Sequence, residues 1–145
     1  MFRHLLIATD GSELAEKGLQ QGLALAKALQ ASATIVTVTE PWAAVVTGEM
    51  ALAFPPDEYD RSAAANASRI LSHASNIAEA AGVMADPLHV KDRYPADGIV
   101  EAAKGRGCDL VVMSSHGRRG LSRLFLGSQA QRVVTHSDLP VLICR

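Results

Sequence analysis

Residues 109–130 read DLVVMSSHGRRGLSRLFLGSQA. "DLVVMS" (109–114) is an apolar run of strand length, glycines follow at 117, 120 and 127, and a helical pattern begins near Ser128. Between Leu110 and Ser137 there are four arginines and no Asp or Glu. A strand that leads through a glycine-hinged basic segment into a helix is a unit of a parallel α/β sheet. Free backbone N–H groups and the positive end of the helix dipole at such a start suit an anion.

The same alternation runs outward from this unit. "HLLIAT" (4–9) is a short apolar strand, and Leu14, Leu19, Leu23, Leu25, Ala26 and Leu29 then recur at helical spacing over 13–29, with Ser12 as N-cap. "ATIVTV" (33–38) is β-branched and reads as a second strand. An apolar connection over 40–60, broken by Pro41, Pro55 and Pro56, leads into a polar-alanine helix over about 57–81 that Gly82 ends. "MADPLHV" (84–90) is a third strand whose Pro87 suits a sheet edge, and Pro95 opens a helix to about 105. "PVLICR" closes the chain as a fifth strand. The order βαβαβαβαβ predicts a five-stranded parallel sheet with four helices, right-handed crossovers and helices on both faces.

At 145 residues the chain suits one domain spanning 1–145. Hydrophobic residues make up 48% and aromatics 4%, so the core is aliphatic, as in a sheet buried on both faces. A formal net charge of −1 argues against a general nucleic-acid or membrane-surface binder. No apolar run reaches membrane-spanning length, and "MFRHLLIATDGS" is too short and wrongly flanked for a signal peptide. Cys108 and Cys144 have no metal-ligand spacing and read as buried thiols of a reducing cytoplasm.

Ligands of open α/β sheets sit beyond the carboxyl ends of strands. Here "ATDGS" (8–12) and "SSHG" (114–117) end the first and fourth strands. Gly117 supplies a left-handed turn, Gly127 admits a ligand to the backbone, and Ser128 and Gln129 offer free N–H groups, which points to phosphate. Each feature also has a plain alternative. The glycines serve as turn residues, Ser128 as an N-cap, Arg118, Arg119 and Arg123 as a solvated face, and Asp10 as an Asx turn. His116 reads as a turn histidine before it reads as an acid–base catalyst, and no histidine pair has metal-ligand spacing. Trp42 and Phe54 pack the long connection onto the body, or that connection is a lid or partner surface.

The chain resembles a small universal stress protein along its whole length. The resemblance rests on "TDGS", "VTVTEP", "PADGIVEAA", "CDLVVMSSHGRRGLSRLFLGS" and "LPVLICR". The family's nucleotide motif is Gly, two residues, Gly, nine residues, then Gly-Ser or Gly-Thr; Gly117, Gly127 and Ser128 match it, and Ser114 replaces the first glycine. The resemblance implies a Rossmann-like sheet ordered 3-2-1-4-5, with ATP, carried with Mg²⁺, in the crevice between strands one and four. It implies that Ala8, Thr9 and Asp10 line the adenine side, with Asp10 accepting from the exocyclic amine, and that Val38 packs on the base. Met113, Ser114 and Gly117 would pass the ribose and phosphates, with the Ser114 hydroxyl available to donate. Gly127, Ser128 and Gln129 would hold phosphate oxygens, joined by a guanidinium from Arg118 or Arg123, and His116 lies in the same loop. In that order Cys108 and Cys144 fall at opposite ends of neighbouring strands, roughly 16 Å apart by strand rise, beyond disulfide reach.

The expected function is a cytoplasmic ATP-binding regulator, dimerising through its unprotected C-terminal edge strand. A slow ATPase is the catalytic alternative, with Asp10 and His116 as its near candidates. G-x-x-x-x-G-K-[ST], HIGH and KMSKS do not occur. The third reading is a nucleotide-free dimeric interaction module in which Ser114 marks loss of the site.

Overall fold

Leu5, Leu6 and Ile7 are consecutive and fully buried. Successive strand side chains point to opposite faces, so such a run needs cover on both sides. The computed structural model, which describes residues 1–117 and 125–145, supplies it. The elements are β1 (His4–Ala8), α1 (Glu13–Leu29), β2 (Ser32–Val38), α2 (Trp42–Val45), α3 (Met50–Ala53), α4 (Pro56–Ala81), β3 (Ala85–Val90), α5 (Pro95–Gly105), β4 (Leu110–Ser114), α6 (Ser128–His136) and β5 (Val141–Cys144). The sheet is parallel in the order β3-β2-β1-β4-β5. This is the fold class and strand order expected.

Two aliphatic cores result, one per face. Leu5, Ile7, Ile35 and Val112 face α1 and α4, meeting Leu19, Leu23, Leu71 and Ala74. Leu6, Val36 and Val111 face α5 and α6, meeting Ala96, Ile99, Ala103, Ala130 and Val133. Small residues let the helices lie close to the sheet. On α1, a Cβ added at Gly22 would stand 3.0 Å from Ile7 Cδ1 and 3.1 Å from Val112 Cγ1. Gly22→Ala gains about 1 kcal/mol of helix propensity and overpacks two rigid core side chains for about 1–3 kcal/mol. The expected result is a net loss of stability, read as a lower urea midpoint at unchanged slope; a higher midpoint would refute it.

Local chemistry sets the ends. Ser12 caps α1 by accepting from Ala15 N–H at 3.2 Å. Gly82 ends α4 in the left-handed region at φ 73°. Pro87 lies on edge strand β3, where a missing N–H costs no interior ladder bond. Cys108 and Cys144 are buried and free, and Cys144 pairs in register with Ser114 at the far end of β4 from Cys108. Burial raises both thiol pKa values.

The connection after β2 departs from expectation. Two one-turn helices, α2 and α3, interrupt what the prolines suggest is irregular chain, and the described helices number six rather than four. The turns fold onto one another: Trp42 Nε1 donates to Phe54 O at 2.9 Å, and Phe54 meets Tyr59 of α4 edge-on at 5.9 Å. Tyr59 Oη then donates to Glu40 O at 2.7 Å, which ties α4 to the exit of β2. Trp42 and Phe54 therefore pack the connection internally and against α4. Among the described residues, no helix is long and apolar enough to cross a membrane.

Candidate functional site at the carboxyl ends of β1 and β4

The paired registers Leu5–Leu110, Leu6–Val111 and Ile7–Val112 bring β1 and β4 out of the sheet side by side. Their exits meet. Asp10 Oδ1 accepts from Ser12 N–H at 2.9 Å, an Asx turn that aims the chain into α1, with Gly11 left-handed at φ 78°. The other carboxylate oxygen lies against Gly117, where an added Cβ would stand 2.7 Å from Asp10 Oδ2. Glycine at 117 thus serves close approach. The expected left-handed turn is not found there: the described glycines with positive φ are Gly11, Gly48, Gly82 and Gly107.

Gly127 has the same kind of constraint. Its φ of −59° suits any residue, so the site gains nothing from glycine's conformational freedom. Its N–H donates to Ser115 O at 2.8 Å, and an added Cβ would stand 2.8 Å from that same oxygen and 3.5 Å from His116 Cδ2. The chain leaving β4 is thereby closed back onto the strand end before α6 begins. Ser115 is the anchor of this closure, since its own N–H donates to Cys144 O at 2.8 Å and extends the β5 ladder. The sequence pattern did not single it out: both serines of the pair are buried, and nothing local marks Ser115 as the one whose carbonyl receives the Gly127 N–H.

α6 begins without a side-chain cap. Its first bond is Gln131 N–H to Gly127 O, so the N–H groups of Ser128, Gln129 and Ala130 have no acceptor among the described residues. The Gln129 side chain is engaged elsewhere: its Oε1 accepts from Ala96 N–H of α5 at 3.2 Å. Arg118, Arg119 and Arg123 lie outside the described residues.

The remaining expected residues divide between the two faces. Ala8, Val38 and Met113 gather on the α5–α6 face. Val38 is held there by a glycine that periodicity did not flag, Gly98 of α5, whose added Cβ would stand 2.8 Å from Val38 Cγ1. Thr9 is buried on the other face. It lines a cavity of about 30 Å³ with Gly11, Glu16, Arg69 and His73, which is the size of a water site rather than a base pocket. Ser114 also faces α1, with its Cβ 3.5 Å from the Cβ position of Gly18, and its hydroxyl donates to His116 O at 2.8 Å. The hydroxyl is engaged inside its own turn. His116 Nδ1 lies 3.1 Å from Ser115 Oγ.

Electrostatics around the strand ends include one shifted histidine. Burial first, then the positive charge of Lys91, lowers the pKa of His89, whose Nε2 lies 2.6 Å from Thr39 Oγ1. A histidine depressed on folding stabilises the native state above its unfolded pKa of about 6.5. That contribution is lost as pH falls through the folded value. His89→Gln is therefore expected to flatten the fall in thermal stability as pH drops below about 6.5. Parallel profiles for wild type and variant would remove His89 from the account. Among the described residues, no group of three or more His, Cys, Asp or Glu is arranged to hold a metal.

Comparison with known proteins gives the lineage. The profile of the Universal stress protein family matches residues 1–145. Universal stress protein YxiE of Bacillus subtilis (strain 168) is 32% identical over 149 aligned residues, covering all of both chains. The solved structure of hypothetical protein MJ0577, from Methanocaldococcus jannaschii, superimposes with a TM-score of 0.83 at 24% identity, over 99% of this chain and 95% of that one. A universal stress protein solved in complex with cAMP superimposes with a TM-score of 0.74 at 25% identity, over 99% and 97% of the two chains.

Proposed function

The chain belongs to the universal stress protein family, and from that premise we propose that it is a cytoplasmic ATP-binding regulator whose nucleotide occupancy controls its shape and partner contacts. The observation that carries the reading is the start of α6. Three N–H groups without a described acceptor sit on a helix pinned by the Ser115–Gly127 bond beside the exit of β4. A helix N-terminus of this kind favours phosphate through its N–H groups and dipole together. Asp10 stands across the crevice against Gly117, and Ala8, Val38 and Met113 supply an apolar floor on the α5–α6 face. The cAMP complex of a relative at 25% identity supports an adenine nucleotide.

In this arrangement the adenine lies toward Val38 and Met113, Asp10 accepts from the exocyclic amine, and the phosphates lie over Ser128 and Gln129. Mg²⁺ would come with the phosphates, whose oxygens and waters suit its octahedral shell. The burial of Ser114 against Gly18 favours ATP binding over the nucleotide-free module, because the extra atoms point away from the α5–α6 face. Native mass spectrometry of the purified protein, followed by calorimetric titration with ATP, tests the proposal. A co-purified adenine nucleotide or micromolar ATP binding is the expected result. Absence of both, with no binding at millimolar ATP, would sink it.

The proposal includes a twofold dimer. β5 is one of the two sheet edges, Leu142 on it is 39% exposed, and Val134 on adjacent α6 is 48% exposed. An unprotected apolar edge favours pairing with a copy of itself. Light scattering at micromolar concentration should give twice the 15.3 kDa chain mass, and Leu142→Asp should halve it. A monomeric wild type would refute the dimer and leave the nucleotide site standing.

A further inference from the structure

Two helices start side by side at the carboxyl edge of the sheet, and one side chain joins their first turns. The N-cap position of α5 is Tyr94, which makes no side-chain capping bond. The Ala96 N–H of that first turn is satisfied instead by Gln129 Oε1, 33 positions away on the first turn of α6. Ala96 is buried, so without this acceptor its N–H would lose solvation with nothing in return. At the opposite end of the same helix pair, Lys104 Nζ lies 2.9 Å from Asp138 Oδ2. That pair is exposed and contributes little. Between the two ties, Ile99 and Ala103 of α5 and Ala130 and Val133 of α6 share one core. The part-buried tie at the amino ends is the one able to transmit a displacement.

We propose that Gln129 is a positioning residue that couples the start of α6 to the start of α5, so that phosphate at α6 is felt at α5. The inference rests on the nucleotide reading above and names the route by which occupancy reaches the surface. The start of α5 carries two outputs. Gly98 abuts Val38 at the tip of β2, with 2.8 Å from its Cβ position to Val38 Cγ1. Tyr94, 48% exposed, stands at the outer end of the same turn. Beside it Arg93 is braced by Glu101 Oε2 at 3.1 Å and by its N–H to Thr39 O at 3.3 Å. When the α6 N–H groups are drawn to a phosphate, the Gln129 backbone is fixed, its side-chain acceptor is fixed, and the α5 start with Tyr94 is held. By reciprocity, a partner that seats on the Tyr94 end tightens nucleotide binding by the same factor.

The test compares full-length wild type, Gln129→Met and Gln129→Glu. Methionine keeps the length and removes the acceptor, whereas glutamate keeps an acceptor oxygen. Amide hydrogen exchange at Ala96 is followed with and without ATP, and calorimetry gives affinities for ATP and adenosine. In wild type, ATP should slow Ala96 exchange about fivefold or more, and adenosine, which lacks phosphate, should not. Gln129→Met should bind ATP about tenfold more weakly, bind adenosine as wild type does, and show no ATP-dependent slowing. Gln129→Glu should restore the basal exchange rate of Ala96. If wild type binds neither ligand, the nucleotide reading fails and the coupling falls with it. If wild type binds ATP while Gln129→Met keeps both its affinity and the slowing, the coupling alone is overturned. Failure of Gln129→Glu to restore basal protection would also overturn it.

Discussion

Gly127→Val should cost at least about a hundredfold in ATP affinity, the expected scale when an overpacked contact displaces the donors of a phosphate site. The reason is distance. The new Cβ would stand 2.8 Å from the Ser115 carbonyl oxygen, a backbone atom that cannot rotate away. That oxygen also accepts the Gly127 N–H, so relieving the clash breaks the bond that pins the start of α6. The N–H groups of Ser128, Gln129 and Ala130, which have no acceptor among the described residues, then shift relative to the exit of β4. The body of the fold should survive, because Ala130 and fully buried Val133 still anchor α6 to the sheet. Gly105→Ala is the matched control: nothing lies within 4 Å of its Cβ position, and ATP binding should be unchanged. Calorimetry with circular dichroism as the folding check decides it. If Gly127→Val binds ATP as wild type does, the phosphate site lies elsewhere.

Asp10→Ala should collapse the preference for ATP over GTP. A hydrogen bond to a charged acceptor contributes about 1.5–3 kcal/mol, or roughly ten- to a hundredfold. The carboxylate accepts from Ser12 N–H through Oδ1 and faces Gly117 with Oδ2. Removing it also loosens the turn into α1. Asp10→Asn separates the two effects, since its carbonyl oxygen keeps the Ser12 bond while its amide becomes a donor. Guanine presents an acceptor where adenine presents an amine, so Asp10→Asn should favour GTP. Competition binding against a fluorescent adenine nucleotide reads both variants. An unchanged ATP-to-GTP ratio in Asp10→Ala would remove Asp10 from base recognition.

Much of the architecture was legible along the chain. "HLLIAT" and "DLVVMS" carry the unbroken apolar runs Leu5–Ala8 and Leu110–Met113, and "ATIVTV" is rich in β-branched residues; such runs suit a strand covered on both faces, and all three are interior strands here. Pro87 announced an edge, and β3 is one. Ser12 and Gly82 marked helix ends by chemistry that acts within four residues. The connection over 40–60 was less legible. A single helical turn such as Trp42–Val45 is too short for periodicity to register, and its support comes from the Trp42 bond to Phe54 O, with Tyr59 holding Phe54 and the preceding Glu40 O.

The sequence by itself determined the alternation of strands and helices, the family, and the segments that reach the crevice. These follow from patterns with a period of two or 3.6 residues and from motif spacing. Only the tertiary structure decided what each residue does there. Gly117 and Gly127 are glycines because Asp10 and the Ser115 carbonyl stand 2.7 and 2.8 Å from their Cβ positions, and neither needs a positive φ. Ser114 turns to Gly18 and spends its hydroxyl on His116, while Gln129 reaches across to Ala96. Each of these contacts except the Ser114–His116 bond joins residues at least twelve positions apart. Their partners are chosen by how the strands and helices pack, which no local pattern encodes.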